Sequence, residues 1–155
     1  MRRTEQEITD IRDLETVLKR ARICRIGLAE DNMPYVVPVC FGYKDDRLYV
    51  HSSPKGKKID MISKNNRVCF EAETDVELVP ADDPCDFAIT YRSVIGFGRA
   101  GLVEDRDEKI RALNIIMEHY TNRENYTFPD SIVAVTAVIE IRIERMTGKR
   151  SKHPI

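Results

Sequence analysis

Residues 34–52 read PYVVPVCFGYKDDRLYVHS, and the reading of the fold starts from this stretch. Pro34 to Tyr43 is almost wholly apolar, the pattern of a strand covered on both faces. Pro38 cannot donate to a ladder, so the strand is expected to be an edge, or irregular, at that point. Lys44-Asp45-Asp46-Arg47 turns the chain back, and Leu48 to Ser52 forms the next strand. Strands joined by so short a turn are antiparallel.

Working outward, the same signals recur. Cys24, Ile26 and Leu28 alternate with Arg25, Gly27 and Ala29 ahead of a turn at Glu30-Asp31-Asn32. Before that strand, Ile8, Ile11, Leu14, Leu18 and Ala21 repeat at steps of three and four. They predict a helix over Glu7 to Ala21 with Thr9 or Asp10 as N-cap. Beyond Ser52, a short helix fits Lys57 to Lys64, with Ile59 and Ile62 inward, and Arg67 to Glu77 alternates as a strand. Pro80 to Pro84 reads as a loop. In the strand-like Tyr91 to Val103, Gly96, Gly98 and Gly101 imply bulges or close backbone approach. A second amphipathic helix begins near Asp105, its stripe Ile110, Leu113, Ile116 or Met117, and Tyr120. The last strand is predicted over Ile132 to Arg145, with Val133, Val135, Ala137, Ile139, Ile141 and Ile143 on one face. The order α-β-β-β-α-β-β-α-β gives a mainly β fold with flanking helices. Its six antiparallel strands favour a closed or nearly closed barrel, as one domain over 1–155 with a core at about 11–151.

Forty-two per cent hydrophobic and 33% charged residues describe an ordinary globule, and no apolar run approaches the ~20 residues of a membrane span. MRRTEQEITD carries no apolar stretch of a secretory signal, so a cytoplasmic protein without membrane contact is expected. A net charge of −1 argues against general nucleic-acid binding. Seven carboxylates and no Lys or Arg fall between Glu71 and Asp86, the pattern of a solvated edge and loop. Cys24, Cys40, Cys69 and Cys85 form no C-x-x-C pair and no zinc spacing with histidine, so no metal is expected. Cys24, Cys40 and Cys69 fall in predicted strands, where free Cys acts as a small buried hydrophobe.

The sharpest chemical feature is HSSPKGKKID, His51 to Asp60, between a strand end and a helix start. Lysines at a helix N-terminus oppose the positive end of its dipole unless an anion is present. Gly56 admits a ligand close to the backbone, and Ser52, Ser53 and the first helix amides can donate to phosphate oxygens. The alternative is a solvated basic turn. The pattern is no P-loop, and Gly96-Phe97-Gly98 is no dinucleotide fingerprint. PYVVPVCFGY and YRSVIGFGRA offer aromatic and small residues that could lie against a flat ring, or could be plain core strands.

In the order VVPVCFGY, LYVHSSPKGKKID, NNRVCFE, YRSVIGFGRA, EKIRALNIIMEHYT and IEIRIERMTGKRS, the chain resembles the Nim-type, pyridoxamine 5′-phosphate oxidase-like flavin proteins, relatives of 5-nitroimidazole resistance proteins. The resemblance runs from about Ile11 to Ser151. It implies a Greek-key split barrel and a homodimer with FMN in a groove between subunits. His51, Ser52, Gly56, Lys57 and Lys58 match the family's H-S-x-x-x-G-K-K phosphate segment. Pro38, Val39 and Cys40 match the strand beside the flavin ring, and Tyr91, Ser93 and Val94 the Y-x-S-V strand on the same site. Lys149 and Arg150 correspond to C-terminal cations near the cofactor. The basic tail of the true pyridoxamine phosphate oxidases is not matched by RMTGKRSKHPI. The implied activity is FMN-dependent reduction of a small electron-poor substrate, with His51 and Tyr91 as candidate acid or base. The alternative is a barrel that holds flavin or haem without turnover, haem drawing its ligand from His51, His119 or His153.

Overall fold

The computed structural model describes residues 4–151. After a short 3-10 turn at Thr4–Gln6 come β1 (Glu7–Ile8), α1 (Ile11–Arg20), β2 (Cys24–Glu30), β3 (Met33–Val39), β4 (Gly42–Lys44) and β5 (Arg47–Ser52). The chain continues through α2 (Lys57–Lys64), β6 (Arg67–Val79), β7 (Ala88–Val103), α3 (Arg106–Thr121), α4 (Asp130–Val135) and β8 (Ala137–Arg150), with a 3-10 turn at Pro84–Asp86.

The eight strands of the described residues form one antiparallel sheet in the order β3-β2-β6-β7-β8-β5-β4, with β1 added to β8. The two ends of that path, β3 and β4, are joined directly through Cys40 and Phe41. One bent strand, 33–44, therefore pairs with β2 in its first half and with β5 in its second, and the sheet closes on itself as a split barrel. Inside lie Phe41, Phe70, Ile26, Leu48, Val94, Ile139 and Ile141, each almost fully buried. A second cluster, Tyr49, Leu113, Ile115, Ile116, Val133 and Val138, packs α3 and α4 against the outer face of β5 and β8.

Two tight hairpins set the register. Asp31 and Asn32, then Asp45 and Asp46, all have φ between 48 and 63°, the left-handed pairs of type I′ turns. Their closing pairs are Glu30 with Met33 and Lys44 with Arg47. From a hydrogen-bonded closing pair the ladder alternates, so Met33, Tyr35, Val37 and Val39 bond to β2. Pro34, Val36 and Pro38 then turn their backbone groups to the free edge, and neither proline removes a ladder bond.

The prediction of an edge at Pro38 holds, and four other expectations are corrected. The described residues form eight strands rather than six, because residues 7–8 pair with β8 and the 34–43 strand breaks at Cys40-Phe41. The first helix starts at Ile11, capped by Asp10, whose carboxylate accepts from the Arg12 amide at 2.8 Å. The 34–43 strand is not covered on both faces: Val36 is 63% exposed, and Pro38 and Cys40 are also exposed. Residues 130–135 are helical rather than strand, with Val133 buried against α3 and Ile132 and Val135 exposed, so the final strand starts at Ala137.

No helix among the described residues is long and apolar enough to cross a membrane.

Candidate functional site

The break between β3 and β4 opens a split in the barrel wall. The β4–β5 ladder stops at Gly42 opposite Tyr49. Continued in register it would set Cys40 against His51 and Val39 against Ser52, and these residues instead border the opening. Val36, Pro38 and Cys40 present backbone carbonyls along one lip, and Val36 and Cys40 present amides. Such an unpaired edge is a row of donors and acceptors for whatever enters.

The basic turn closes one end of this split. Gly56 caps α2 with φ 125° and ψ 167°, backbone that a side chain resists, and a Cβ there would meet nothing within 4 Å. Its carbonyl accepts from the Ile59 and Asp60 amides, which starts the helix, and the Ser53 hydroxyl accepts from the Lys55 amide at 3.5 Å. The Lys57 amine lies 4.5 Å above the Tyr35 ring, so the turn folds back onto β3. Among the described residues, no carboxylate oxygen lies within 4 Å of the Lys55, Lys57 or Lys58 amines. Lys58 is half-buried, and desolvation pushes its pKa down. An unpaired, partly buried cation at the positive end of a helix dipole is an anion site in waiting.

Pro38, Val39, Cys40, His51, Ser52, Gly56, Lys57 and Lys58 thus gather around one opening. The other sequence candidates do not join them within the chain. Tyr91, Ser93 and Lys149 form a second group on the outer wall, with the Lys149 amine 5.6 Å from the Tyr91 ring centroid and Ser93 opposite Lys149. From Val138, the β8 partner of His51, to Lys149 is about 36 Å of strand at ~3.3 Å per residue. Val94 is fully buried in the core and β7 is paired on both sides, so its side chain is closed to a ligand. Val39 is also buried and its backbone groups bond to Cys24 of β2, so it lies beside the split without offering it a free group.

The cysteines and histidines separate along similar lines. Cys24 is buried, and desolvation raises its pKa to about 12, whereas Cys40 is exposed at the split instead of buried as expected. His51 is exposed at the split mouth. His119 is committed elsewhere: its Nε2 donates to the Ala21 carbonyl at 2.7 Å and its ring lies 4.5 Å from Phe41. His153 lies outside the described residues. The sequence reading missed Tyr120, whose hydroxyl accepts from the Phe41 amide at 3.1 Å and donates to the Arg22 carbonyl at 2.7 Å. Its place on an apolar stripe disguised a polar task.

The outer wall is unusually apolar. Ile89, Tyr91, Ser93, Ile95 and Phe97 point outward along β7, Phe87 lies just ahead of it, and Phe87, Ile89, Ile95 and Phe97 are 41–54% exposed. Leu78 pairs with Ile89, and the Arg145 guanidinium lies 4.5 Å over Phe97. The row Val36, Gly27, Cys69, Phe97 continues the bare surface to the lip of the split.

Comparisons with known proteins agree with this architecture. The structure is similar to that of a protein from Bacteroides thetaiotaomicron put forward as a 5-nitroimidazole antibiotic resistance protein. The two are 36% identical over 93% of this chain and 86% of that one, with a TM-score of 0.83. An FAD-binding protein from Mesorhizobium loti is 25% identical over 93% of this chain and 96% of its own, with a TM-score of 0.70. An uncharacterized curated protein of Rhizobium meliloti is 30% identical over 59 residues, so the match spans 38% of that relative's length. A family model described as pyridoxamine 5′-phosphate oxidase matches residues 10–150. From the cap of α1 to the last residue of β8, this chain belongs to the pyridoxamine 5′-phosphate oxidase family.

Proposed function

We propose that this protein binds FMN and acts as an oxidoreductase on a small electron-poor organic substrate, a nitro compound in the simplest case. The observation that carries the reading is the meeting of an unpaired strand edge and a carboxylate-free cationic turn across one split. The β3 edge suits a flat heterocycle whose rim alternates acceptors and donors. Lys57, Lys58, Ser52 and the first amides of α2 suit a phosphate ester, and one helix start favours a mononucleotide over a dinucleotide. Bound FMN would supply two-electron transfer from a reduced donor to the acceptor. The protein's own part is to hold the ring and its phosphate, to limit water at the opening, and to present His51 at the mouth as a proton carrier. The FAD-binding description of one similar protein supports a flavin in general, and the drug-resistance description of another supports a nitro substrate.

The site is completed by a second copy of the chain. The separation of Tyr91, Ser93 and Lys149 from the split, and the apolar stripe along β7, both favour a homodimer in which one chain's outer wall faces the other's opening. Ile95→Asp with Phe97→Asp is expected to give a folded monomer by sedimentation with weakened flavin binding. Undiminished binding by that monomer would place the whole site in one chain.

The visible spectrum of the purified protein, with and without added FMN, tests the cofactor. The FMN-loaded protein is then reduced and mixed with a nitroimidazole, and reoxidation of the flavin is expected. A protein that stays colourless in excess FMN defeats the flavin reading. A flavin that no acceptor reoxidises defeats the oxidoreductase reading and leaves a binding protein.

A further inference from the structure

We infer that Tyr120 is a positioning residue. Its hydroxyl, wedged between Arg22 and Phe41, fixes where the 33–44 strand leaves β2 for β5, and hence where the split opens. The inference rests on the reading of that split as the flavin site.

Ladder alternation shows what the hydroxyl replaces. Counting from the closing pair Glu30/Met33, hydrogen-bonded pairs fall at Leu28/Tyr35, Ile26/Val37 and Cys24/Val39. The next would be Arg22/Phe41. Counting from the other hairpin, Lys44/Arg47 and Gly42/Tyr49 are bonded to β5, so the Phe41 amide again faces away from β5 and toward β2. Both registers aim the Phe41 N–H at the Arg22 carbonyl. The bond between them is not made directly. The Tyr120 hydroxyl accepts from Phe41 at 3.1 Å and donates to Arg22 at 2.7 Å, so both groups are satisfied while the strands stand apart by one extra oxygen.

The last turn of α3 is built to hold that oxygen still. His119 donates to the Ala21 carbonyl at 2.7 Å and packs against both Phe41 and Tyr120, with ring centroids 4.5 and 4.8 Å away. Two residues N-terminal to β2 and one at the strand switch are thereby tied to one helix end. Gly42 lets β4 approach this helix closely, since a Cβ there would stand 2.6 Å from the Ile115 carbonyl oxygen. With the wedge removed, Phe41 can close directly on Arg22. The β2–β3 ladder then gains a pair, and Cys40 is drawn toward β2 and away from the lip it shares with Pro38.

Tyr120→Phe removes the hydroxyl and keeps the ring, and three readouts follow. FMN affinity, by fluorescence titration, is expected to fall about tenfold, the worth of one good hydrogen bond. The absorption bands of the bound flavin should shift, because the lip against the ring has moved. Without flavin, the Cys40 and Phe41 amide resonances should move while those of β6 and β7 stay in place, a change that general loosening does not give. Wild-type affinity and spectrum in Tyr120→Phe overturn the inference. If the wild type itself takes up no FMN, the flavin reading fails and the wedge is judged on the amide resonances alone. A further measurement needs no variant: the wild-type Tyr120 hydroxyl proton should show a nuclear Overhauser effect to the Phe41 amide, and its absence refutes the wedge.

Discussion

Replacing Lys57 and Lys58 together by alanine separates a phosphate site from a merely solvated turn. Neither amine has a carboxylate partner among the described residues, so no ion pair is lost with them. Stability forfeits the Lys57–Tyr35 contact, about 0.5–1 kcal/mol at an exposed site. It regains about 0.3–1 kcal/mol for each cation withdrawn from the positive end of α2, and burial of Lys58 no longer opposes folding. The folding change should therefore stay within about 1 kcal/mol of zero. Binding is another matter. A hydrogen bond to a charged group contributes about 1.5–3 kcal/mol, with exposed Lys57 near the lower figure and half-buried Lys58 near the upper. Together the two bonds amount to roughly 4.5 kcal/mol, and at 1.4 kcal/mol per decade the FMN dissociation constant rises about a thousandfold. Flavin fluorescence titration with parallel urea melts measures both quantities. Wild-type affinity should also weaken with added salt more steeply than that of the variant. A double variant that folds normally and binds FMN within threefold of wild type removes the phosphate from this turn.

Two predictions concern the scaffold. Gly96→Ala places a Cβ 2.1 Å from Phe70 Cζ in the filled barrel interior, so a loss of about 3 kcal/mol is expected in denaturant melts, partly recovered in a Phe70→Leu background. His119 has its pKa lowered first by burial, with the Ala21 hydrogen bond working against the shift. The unfolded chain therefore takes up the proton first, and stability is lost as pH falls through the unfolded value of about 6.5 toward the lower folded one. Urea midpoints at pH 8 and pH 5.5 should differ in the wild type and differ less in His119→Gln.

The periodic part of the fold could be read from the chain. Both tight hairpins, the α2 boundaries and the Asp105 cap come from signals confined to a few neighbouring residues. The basic turn could be read for the same reason. What escaped depends on distant partners or on ambiguous parity. Val133, Val135 and Ala137 alternate as a strand would, yet Pro129 and Asp130 open a helix whose Val133 is held by α3. Pro38 correctly marked an irregular edge, but the break falls at Cys40-Phe41, where the controlling hydroxyl comes from a residue 79 positions further on. The apolar residues of β3 implied burial because nothing in the pattern of the strand distinguishes a core strand from an apolar strand left exposed at a sheet edge.

The opening leaves backbone donors and acceptors of one strand unpaired by design of the sheet. Along the sheet path, β2, β5, β6, β7 and β8 are each flanked on both sides, and only β3 and β4 end it. Those two are halves of one strand, and pairing throughout 33–44 with β5 would seal the barrel and satisfy the lip. Two separate features prevent it. Pro34 and Pro38 lack the donors that a β5 neighbour would use on that edge, and the chain after Ser52 turns at Pro54 into α2 instead of continuing as a strand. Each on its own leaves backbone groups to be satisfied by water at some cost in cooperativity. Placed together beside a turn whose lysines have no carboxylate partner among the described residues, they keep one strand edge free next to one cationic turn. A ligand that is flat at one end and doubly charged at the other answers both requirements at once.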